Sequence, residues 1–486
     1  MVQATSYDAA RPDGRNKQHW TSADALDANL SNSLSVRTTL IKRSRYETGN
    51  NGNGAGIVLT QSNYVVGRGP KLRMQTGSAG FNAMIEAAWE RWWKAVAGAR
   101  KLRTAVKAKV RDGETFLIAR TNPRLPDEVK IDLVGIEAEQ CTSHYSGAAE
   151  EYHVDGIQFD EFGNPEYYEI LRHHPGGDWA TYNEQPERIP AKFVFHLQRE
   201  DRFGAARAVP ELTPSLNTFA GGRRFREAVL AAAENIANFS IILQTQAPPD
   251  NGPTKMRPFD TLPMEKGMMV GAPMGWDAFQ PKAEQPSANY DTFTRSQTCE
   301  SARPLNMPYN IAAADSSGYS FSGGRLDHLT YFVSVDVEQA DLEDMGLDPL
   351  FSLWFEEAVK VYGWSVPESP APSHTWDWPA KPQIDDAKTA GARQTDLGTG
   401  VKSLRRVYAE DGLDFEDELP AMAQDYGVTV DEMRAVLLKK HFGGGTPEQE
   451  PPPSVEDQDQ EDQEEMPPAR ANGVNRIAAT NGNGRH

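Results

Sequence analysis

The stretch from Met307 to Trp364 constrains the fold more than any other part of the chain. It opens on Met307, Pro308 and Tyr309 and passes through a run of small polar residues from Asp315 to Arg325. A long charged helical pattern follows. Leu326, Leu329, Val333, Val337 and Ala340 recur at helical spacing and predict its apolar face. Asp348 then predicts an N-cap with Pro349 at the first helical position. Leu350, Leu353, Trp354, Ala358 and Val361 form the expected core stripe of that second helix.

At 486 residues the chain can bury a sizeable core, in two or more domains. A hydrophobic fraction of 38% and a mean hydropathy of −0.61 are low for a compact enzyme. Polar loops, a disordered tail or wide subunit surfaces would each lower them. Cys141 and Cys299 make neither a disulfide framework nor a zinc spacing, which points to synthesis in a reducing cytoplasm. No basic, apolar leader and no run approaching a bilayer span is read, so neither export by a signal peptide nor a membrane partner is expected. A net charge of −19 argues against a broad nucleic-acid-gripping surface. Part of that charge lies between Glu448 and Glu465, where no Lys or Arg occurs. Residues 443–486 read as a disordered acidic tail.

Residues 1–30 are polar and read as an arm that needs a partner to become ordered. Residues 32–48 predict a helix stopped by the Gly and Asn run at 49–54. Val65 to Pro70 reads as a short strand and turn. Phe81 to Gly98 is an amphipathic helix with Phe81, Ile85, Ala88, Trp89, Trp92 and Val96 on one face. Residues 114–200 read as β-rich, with strands near 115–118, 129–133 and 189–196 and a hairpin turning at 161–164. From Pro210 helix returns, with an expected break at Gly221 and Gly222 and a second helix from Arg223 to Gln244. Residues 247–290 are expected to hold little regular structure, and a helix follows near 290–303. At least two more helices are expected within 384–440. The fold class is α+β.

Catalytic motifs are missing. No phosphate-binding Gly-rich loop ending in Lys and Ser or Thr occurs, so the chain is not itself an ATP-driven motor. His173 and His174 beside Pro175 read as a hairpin tip without carboxylate support rather than a metal site, and no metal or cofactor is expected. Asp112 and Glu114 read either as paired carboxylates for acid–base work or as a turn in which Gly113 supplies positive φ. Arg100, Arg103, Lys107 and Arg111 form a stripe that is either a solvated helix face or a patch for DNA or an acidic neighbouring subunit. Helices without catalytic chemistry mark an assembly protein whose subunits pack through them, and no catalytic residue is assigned.

In order along residues 7–435, several short pieces resemble the portal proteins of tailed bacteriophages, lambda family. They include Tyr7 to Arg11, the Val65–Gly67 turn, Trp89 with Trp92 and Trp93, and Arg111 through Phe116. Gly156 to Asp160 with Gly163 to Pro165, and Ile189 to His196, also fit. So do Pro308 with Tyr309, then Asp315, Tyr319, Ser320 and Arg325, and Pro349 followed by Trp354. Ile384 to Lys388 and Gly400 to Ser403 resemble the family's C-terminal segment. The chain departs at Arg202 to Gly204, which lacks the usual Gln, and in the shortened spacing after Asp315.

The resemblance implies a portal fold with wing, helical stem, clip and C-terminal helical crown, assembled as a ring of twelve copies at one capsid vertex. It implies passage of double-stranded DNA during packaging and ejection. The implied partners are the terminase large subunit, major capsid and scaffold proteins, and head-completion or adaptor proteins. The chain would be made in the host cytoplasm and reside in the virion. On that frame 31–209 is wing, 210–303 holds stem helices, clip and channel loops, 304–375 holds wing helices, and 376–442 is the crown. Lys255, Arg257, Lys266 and Lys282 are the candidate channel-facing cations. Rival readings are another head–tail connector ring or a hydrolase using carboxylates near Asp112 or Asp160.

Overall fold

A computed structural model describes residues 16–142, 151–179, 184–238, 242–245, 276–279, 289–366, 370–381, 386–410 and 415–442. Short helices α1 (Asn16–His19) and α2 (Ala28–Ser31) lead into α3 (Leu34–Asn50) and α4 (Gly52–Val65). The Gly and Asn run does break the chain, but only at Asn51. Its side chain accepts the Asn53 N–H at 3.1 Å and caps α4, which runs on through the glycines. Val65 therefore ends a helix, and strand β1 (Lys71–Met74) starts only after the turn. A short apolar run does not by itself distinguish the two structures.

Helix α5 (Ala79–Ala95) buries Ile85, Ala88, Trp89 and Trp92 as its periodicity predicts, and Trp93 with them. Helix α6 (Gly98–Asp112) follows. Strand β2 (Glu114–Thr121) pairs antiparallel with β3 (Ile131–Ile136). β2 is buried on both faces, which its unbroken apolar run requires. Leu117 and Ala119 face the main core, while Phe116 and Ile118 face a second core with Ile157, Tyr168 and Ile170. That second core is roofed by a four-stranded antiparallel sheet of β4 (His153–Val154), β5 (Ile157–Phe159), β6 (Pro165–Ile170) and β7 (Glu187–Pro190). The expected hairpin is its β5–β6 pair. The single strand expected at 189–196 is two strands in two sheets. Pro190, which has no N–H to donate, ends β7, a 3₁₀ turn follows, and β8 (Val194–Gln198) joins β2.

Helix α7 (Leu216–Asn238) runs through Gly221 and Gly222 without a break. A Cβ on Gly222 would lie 2.8 Å from Gln297 Oε1, so this glycine permits a close helix crossing rather than a turn. The chain is strand, not helix, at β9 (Ile242–Thr245), which pairs antiparallel with β10 (Trp276–Phe279). Part of the stretch expected to be irregular is thus regular. Helix α8 (Tyr290–Ala302) meets α7, with Gln297 near Gly222 and Tyr290 and Phe293 against Phe225. That descending order makes the two helices antiparallel.

After α9 (Tyr309–Ala312), helix α10 (Phe321–Leu342) continues through a π-helical segment, Glu343–Leu347, into α11 (Asp348–Tyr362). Asp348 is helical rather than an N-cap. Its carboxylate accepts from Trp376 Nε1 at 2.7 Å on β11 (His374–Asp377), which pairs with β1. The wide π turn accommodates Pro349, whose ring would crowd a regular helix and whose missing N–H removes a bond. The face of α10 is also reversed. Tyr331, Val335, Gln339 and Leu342 are buried, while the expected stripe points outward.

On α11, Phe351, Phe355 and Val359 join Leu350, Trp354 and Ala358 in the core, and Val361 is exposed. Trp89 stacks on Trp93 at 5.6 Å and meets Trp354 edge-on at 5.2 Å. Such pairs add about 0.5–1.5 kcal/mol each beyond area burial.

Four helices complete the described chain: α12 (Asp386–Gly398), α13 (Leu404–Glu410), α14 (Phe415–Tyr426) and α15 (Val430–Phe442). The chain divides into two compact units, Met1–Ala390 with Ser403–Phe415, and Gly391–Lys402 with Glu416–His486. The second has a small core of Leu397, Leu419, Ala423 and Met433. Among the described residues no helix is long and apolar enough to cross a membrane.

Candidate functional site

The sequence offers three places for chemistry, at Asp112 with Glu114, at His173 with His174, and near Asp160. At the α6–β2 junction Gly113 takes φ 95°, and the carboxylates on either side diverge. Asp112 accepts from Arg45 Nε at 2.8 Å and from Arg111 Nη2 at 2.9 Å. Glu114, fully buried, accepts from Arg207 Nε at 2.8 Å, and His196 Nε2 lies 2.9 Å from its other oxygen. Arg37 Nε stands 3.7 Å away. Burial alone would raise the Glu114 carboxyl, but the Arg207 guanidinium and the His196 hydrogen bond hold it well below the usual carboxylate range. Arg207 also donates to the carbonyls of Ala138, Cys141 and Asp155. This is a sealed joint between sheet, loop and helix. Both carboxylate oxygens of Glu114 are engaged, and it has no route for a substrate.

His174 does have carboxylates beside it, supplied from far back in the sequence. Its Nε2 lies 3.4 Å from Glu137 and 3.8 Å from Glu139, and the three donor sets come within 4.8 Å of one another. Its Nδ1 accepts the Gly176 N–H at 3.0 Å, and its Nε2 stands near the carboxylates without a hydrogen bond to them. Arg45 bridges Glu139 at 2.8 Å and Glu137 at 2.9 Å. The positive charge such a cluster calls for is already present as a guanidinium.

A cavity of about 720 Å³ lies beside the four-stranded sheet, lined by Asp160, Tyr168, His196 and Gln198 among others. Asp160 accepts from the Phe162 and Asn164 backbone and from the Asn164 side chain, which together shape the hairpin turn. His196 is committed to Glu114. No nucleophile–base pair is assembled there among the described residues.

What remains are surfaces. Of the basic stripe on α6, Arg103 donates to the Gly67 carbonyl at 2.7 Å and Arg111 is held by Asp112. Arg100 is exposed, and Lys107 makes no ion pair with any described residue. Lys107 and Arg111 edge a groove of about 460 Å³ between α3, α4 and α6, with Ala55, Val58 and Leu59 as its apolar floor and Arg45 on its rim. On α10 the outward stripe is well exposed: Leu326 at 65%, Leu329 at 52%, Val333 at 64% and Val337 at 57%.

The segment before α10 is orderly. Asp315 accepts the Ser317 N–H at 2.9 Å, and its hydrogen bonds with Ser317 hold its carboxyl below the ordinary value. Ser320 caps α10 through the Gly323 N–H. The Arg295 guanidinium lies 4.2 Å from the Tyr309 ring and 5.2 Å from the Tyr319 ring. Arg325 is half-buried on the first turns of α10, and Trp354 is buried in the aromatic core. Lys255, Arg257, Lys266 and Lys282 lie outside the described residues. The structure gathers no two of these groups into one reactive centre. The groove and the outward stripe are the features that sequence reading missed. Each is formed by how helices pack, not by a motif.

Comparison with known proteins points to a family. A family model, phage portal protein, lambda family, matches residues 13–339. The probable portal protein of Halomonas phage phiHAP-1 is 24% identical over 292 residues, 56% of this chain and 54% of the relative. The match thus spans about half the length of that curated relative. Among solved structures, a chain in the neck of an empty GTA particle computed with C6 symmetry has 12% identity and a TM-score of 0.40. It is covered over 99% of its length by 80% of this chain. A chain in the virion of a native gene transfer agent (GTA) particle has 12% identity and a TM-score of 0.41, over 93% of its length and 77% of this chain. This is a structural, non-enzymatic protein of the virion, and with two thirds of its length matched the chain belongs to the lambda family of phage portal proteins.

Proposed function

We propose that copies of this chain close into the portal ring at one capsid vertex, twelve to a ring, and that double-stranded DNA passes through its centre during packaging and ejection. Family membership over residues 13–339 carries the reading. The surfaces are consistent with it. Buried charges are committed to internal ion networks, and the conspicuous unfilled features are an apolar helix face and an interhelical groove.

In this reading 31–209 and 304–375 make the wing, and 376–442 the crown. The antiparallel pair α7 and α8 is the stem, and the β9–β10 ladder between them in sequence belongs to the clip. The terminase large subunit docks on the clip during packaging, and head-completion or adaptor proteins follow. Capsid and scaffold proteins surround the wing. Lys255, Arg257, Lys266 and Lys282 are proposed to face DNA.

Native mass measurement of the purified protein tests the core of this. The expected species lies near twelve times 53.7 kDa and shows a central hole in negative stain. A monomer or dimer at high concentration overturns it.

A further inference from the structure

The exposed stripe of α10 and the groove between α3, α4 and α6 lie on opposite sides of the same helical layer. Residues two apart on a helix point about 200° apart. On α4, Leu59 floors the groove, while Gln61 turns away and accepts from the Tyr331 hydroxyl of α10 at 2.7 Å. On α6, Lys107 edges the groove, while Lys109 turns away and reaches Glu338 of α10 at 2.5 Å. Two helices independently give one order: groove, then α4 and α6, then α10. On α10, Tyr331 and Val335 face inward and Val333 outward. The stripe therefore leaves the subunit on the side away from the groove.

A closed ring of identical subunits needs two different faces on opposite flanks of each copy, complementary to each other. We propose that the outward stripe of α10 (Leu326, Leu329, Val333 and Val337) docks into the α3–α4–α6 groove of the next copy, and that this is the head-to-tail contact of the ring. The occupant of the groove is a second copy of this chain. Charge supports that choice. Asp336 and Asp341 flank the stripe, Asp336 with Lys381 beside it, and Asp341 has no ion pair among the described residues. The groove edge carries Lys107, equally without an ion pair among the described residues, whereas Arg45 and Arg111 there are paired with Asp112 and Arg45 also with Glu137, which lines the groove too. Arg325 lies at the N-terminal end of the stripe, toward its edge. Apolar side chains meet an apolar floor, and Asp341 beside the stripe has Lys107 on the groove edge as a partner of opposite charge. Excluding water from the contact favours burial of the apolar stripe, and charges at the rim fix register rather than add affinity.

This inference rests on the ring reading, and its test separates the two. In a Cys299→Ser background, Leu59→Cys is combined with Val333→Cys and the assembled protein is mildly oxidised. The buried Cys141 is left in place. Bridging needs Cα atoms within about 7 Å. A ladder of covalent oligomers on a non-reducing gel, missing from either single variant, is the expected result. A second variant, Leu329→Glu with Val333→Glu, alters exposed side chains only. Its far-UV circular dichroism should match the parent and it should still melt cooperatively, at a temperature lowered only by the loss of assembly, while rings give way to monomers. Rings that form normally in the Glu variant, or that give no ladder in the paired-Cys variant, overturn the proposed contact and leave the ring reading intact. Failure of the unmodified protein to assemble overturns both.

Discussion

Glu114 shows how one buried carboxylate ties three parts of the chain together and makes stability depend on pH. Removing its charge while keeping its shape, Glu114→Gln, leaves Arg207 and Arg37 buried beside a neutral group. Breaking such a buried network by losing one partner costs about 3–5 kcal/mol. We expect a melting temperature several degrees lower by calorimetry, and an unchanged melting temperature contradicts the role given to this residue. The pH dependence follows from two depressed groups. Burial holds His196 below its ordinary 6.5, outweighing its hydrogen bond to Glu114. As pH falls through 6.5, the unfolded chain takes up a proton that folded His196 refuses, and stability is lost. Glu114 is depressed below its ordinary 4.5, so its contribution is present above 4.5 and is lost as pH falls further, toward its folded value. Both slopes have the same sign, each at most about 1.4 kcal/mol per pH unit. His196→Gln keeps a donor for Glu114 but cannot titrate. The loss between pH 6.5 and 5 should flatten in melts of that variant, and a slope equal to the parent's would remove the assignment.

At the scale of elements, the α6–β2 turn depends on backbone geometry rather than side-chain chemistry. Gly113 holds φ 95°, and a Cβ there would lie 2.4 Å from the Val209 carbonyl carbon. Gly113→Ala should cost at least the 1–3 kcal/mol or so of a disfavoured conformation, since the clash with main chain must also be relieved. Urea denaturation would read this as a lower midpoint, and a midpoint matching the parent's would mean the turn can relax. That turn was legible in the sequence, as were the Trp-rich face of α5, the β5–β6 hairpin and α8. Misreadings occurred where local pattern and packing part company. Two glycines in α7 read as a break because the sequence does not show that α8 presses on Gly222. Asp348 and Pro349 read as a helix start because a π segment, which lets helix continue through proline, has no periodicity of its own. The periodicity gives α10 an apolar face at Leu326, Leu329, Val333 and Val337 because these are more apolar than the buried Tyr331 and Gln339. Those two satisfy their polar atoms on Gln61 and the Val65 carbonyl. A periodicity locates an apolar face but not what covers it. When the cover is another subunit, the single chain shows that face bare.

For the whole molecule, charge bears on the proposed passage of DNA through a ring of these chains. Each phosphate neutralised by a protein cation releases condensed counterions. Binding then tightens with the number of contacts and weakens steeply with salt. A protein that grips through many cations would hold the duplex at each step, so a conduit must do the opposite. The net charge of −19 means that acidic groups outnumber the 50 Lys and Arg, and Arg37, Arg45, Lys109, Arg111 and Arg207 are engaged in internal ion pairs. We therefore expect purified rings to bind double-stranded DNA only weakly at about 0.1 M salt. The dependence of log affinity on log salt should correspond to no more than about two phosphates, against roughly ten for a tight repressor. Fluorescence anisotropy of a labelled duplex across a salt series measures both quantities. Tight binding with a steep slope would mean that the assembled ring presents many cations to the duplex, and low friction could no longer follow from sparse charge. Weak binding with a shallow slope is what the proposed conduit requires, because the duplex then meets little resistance as it slides.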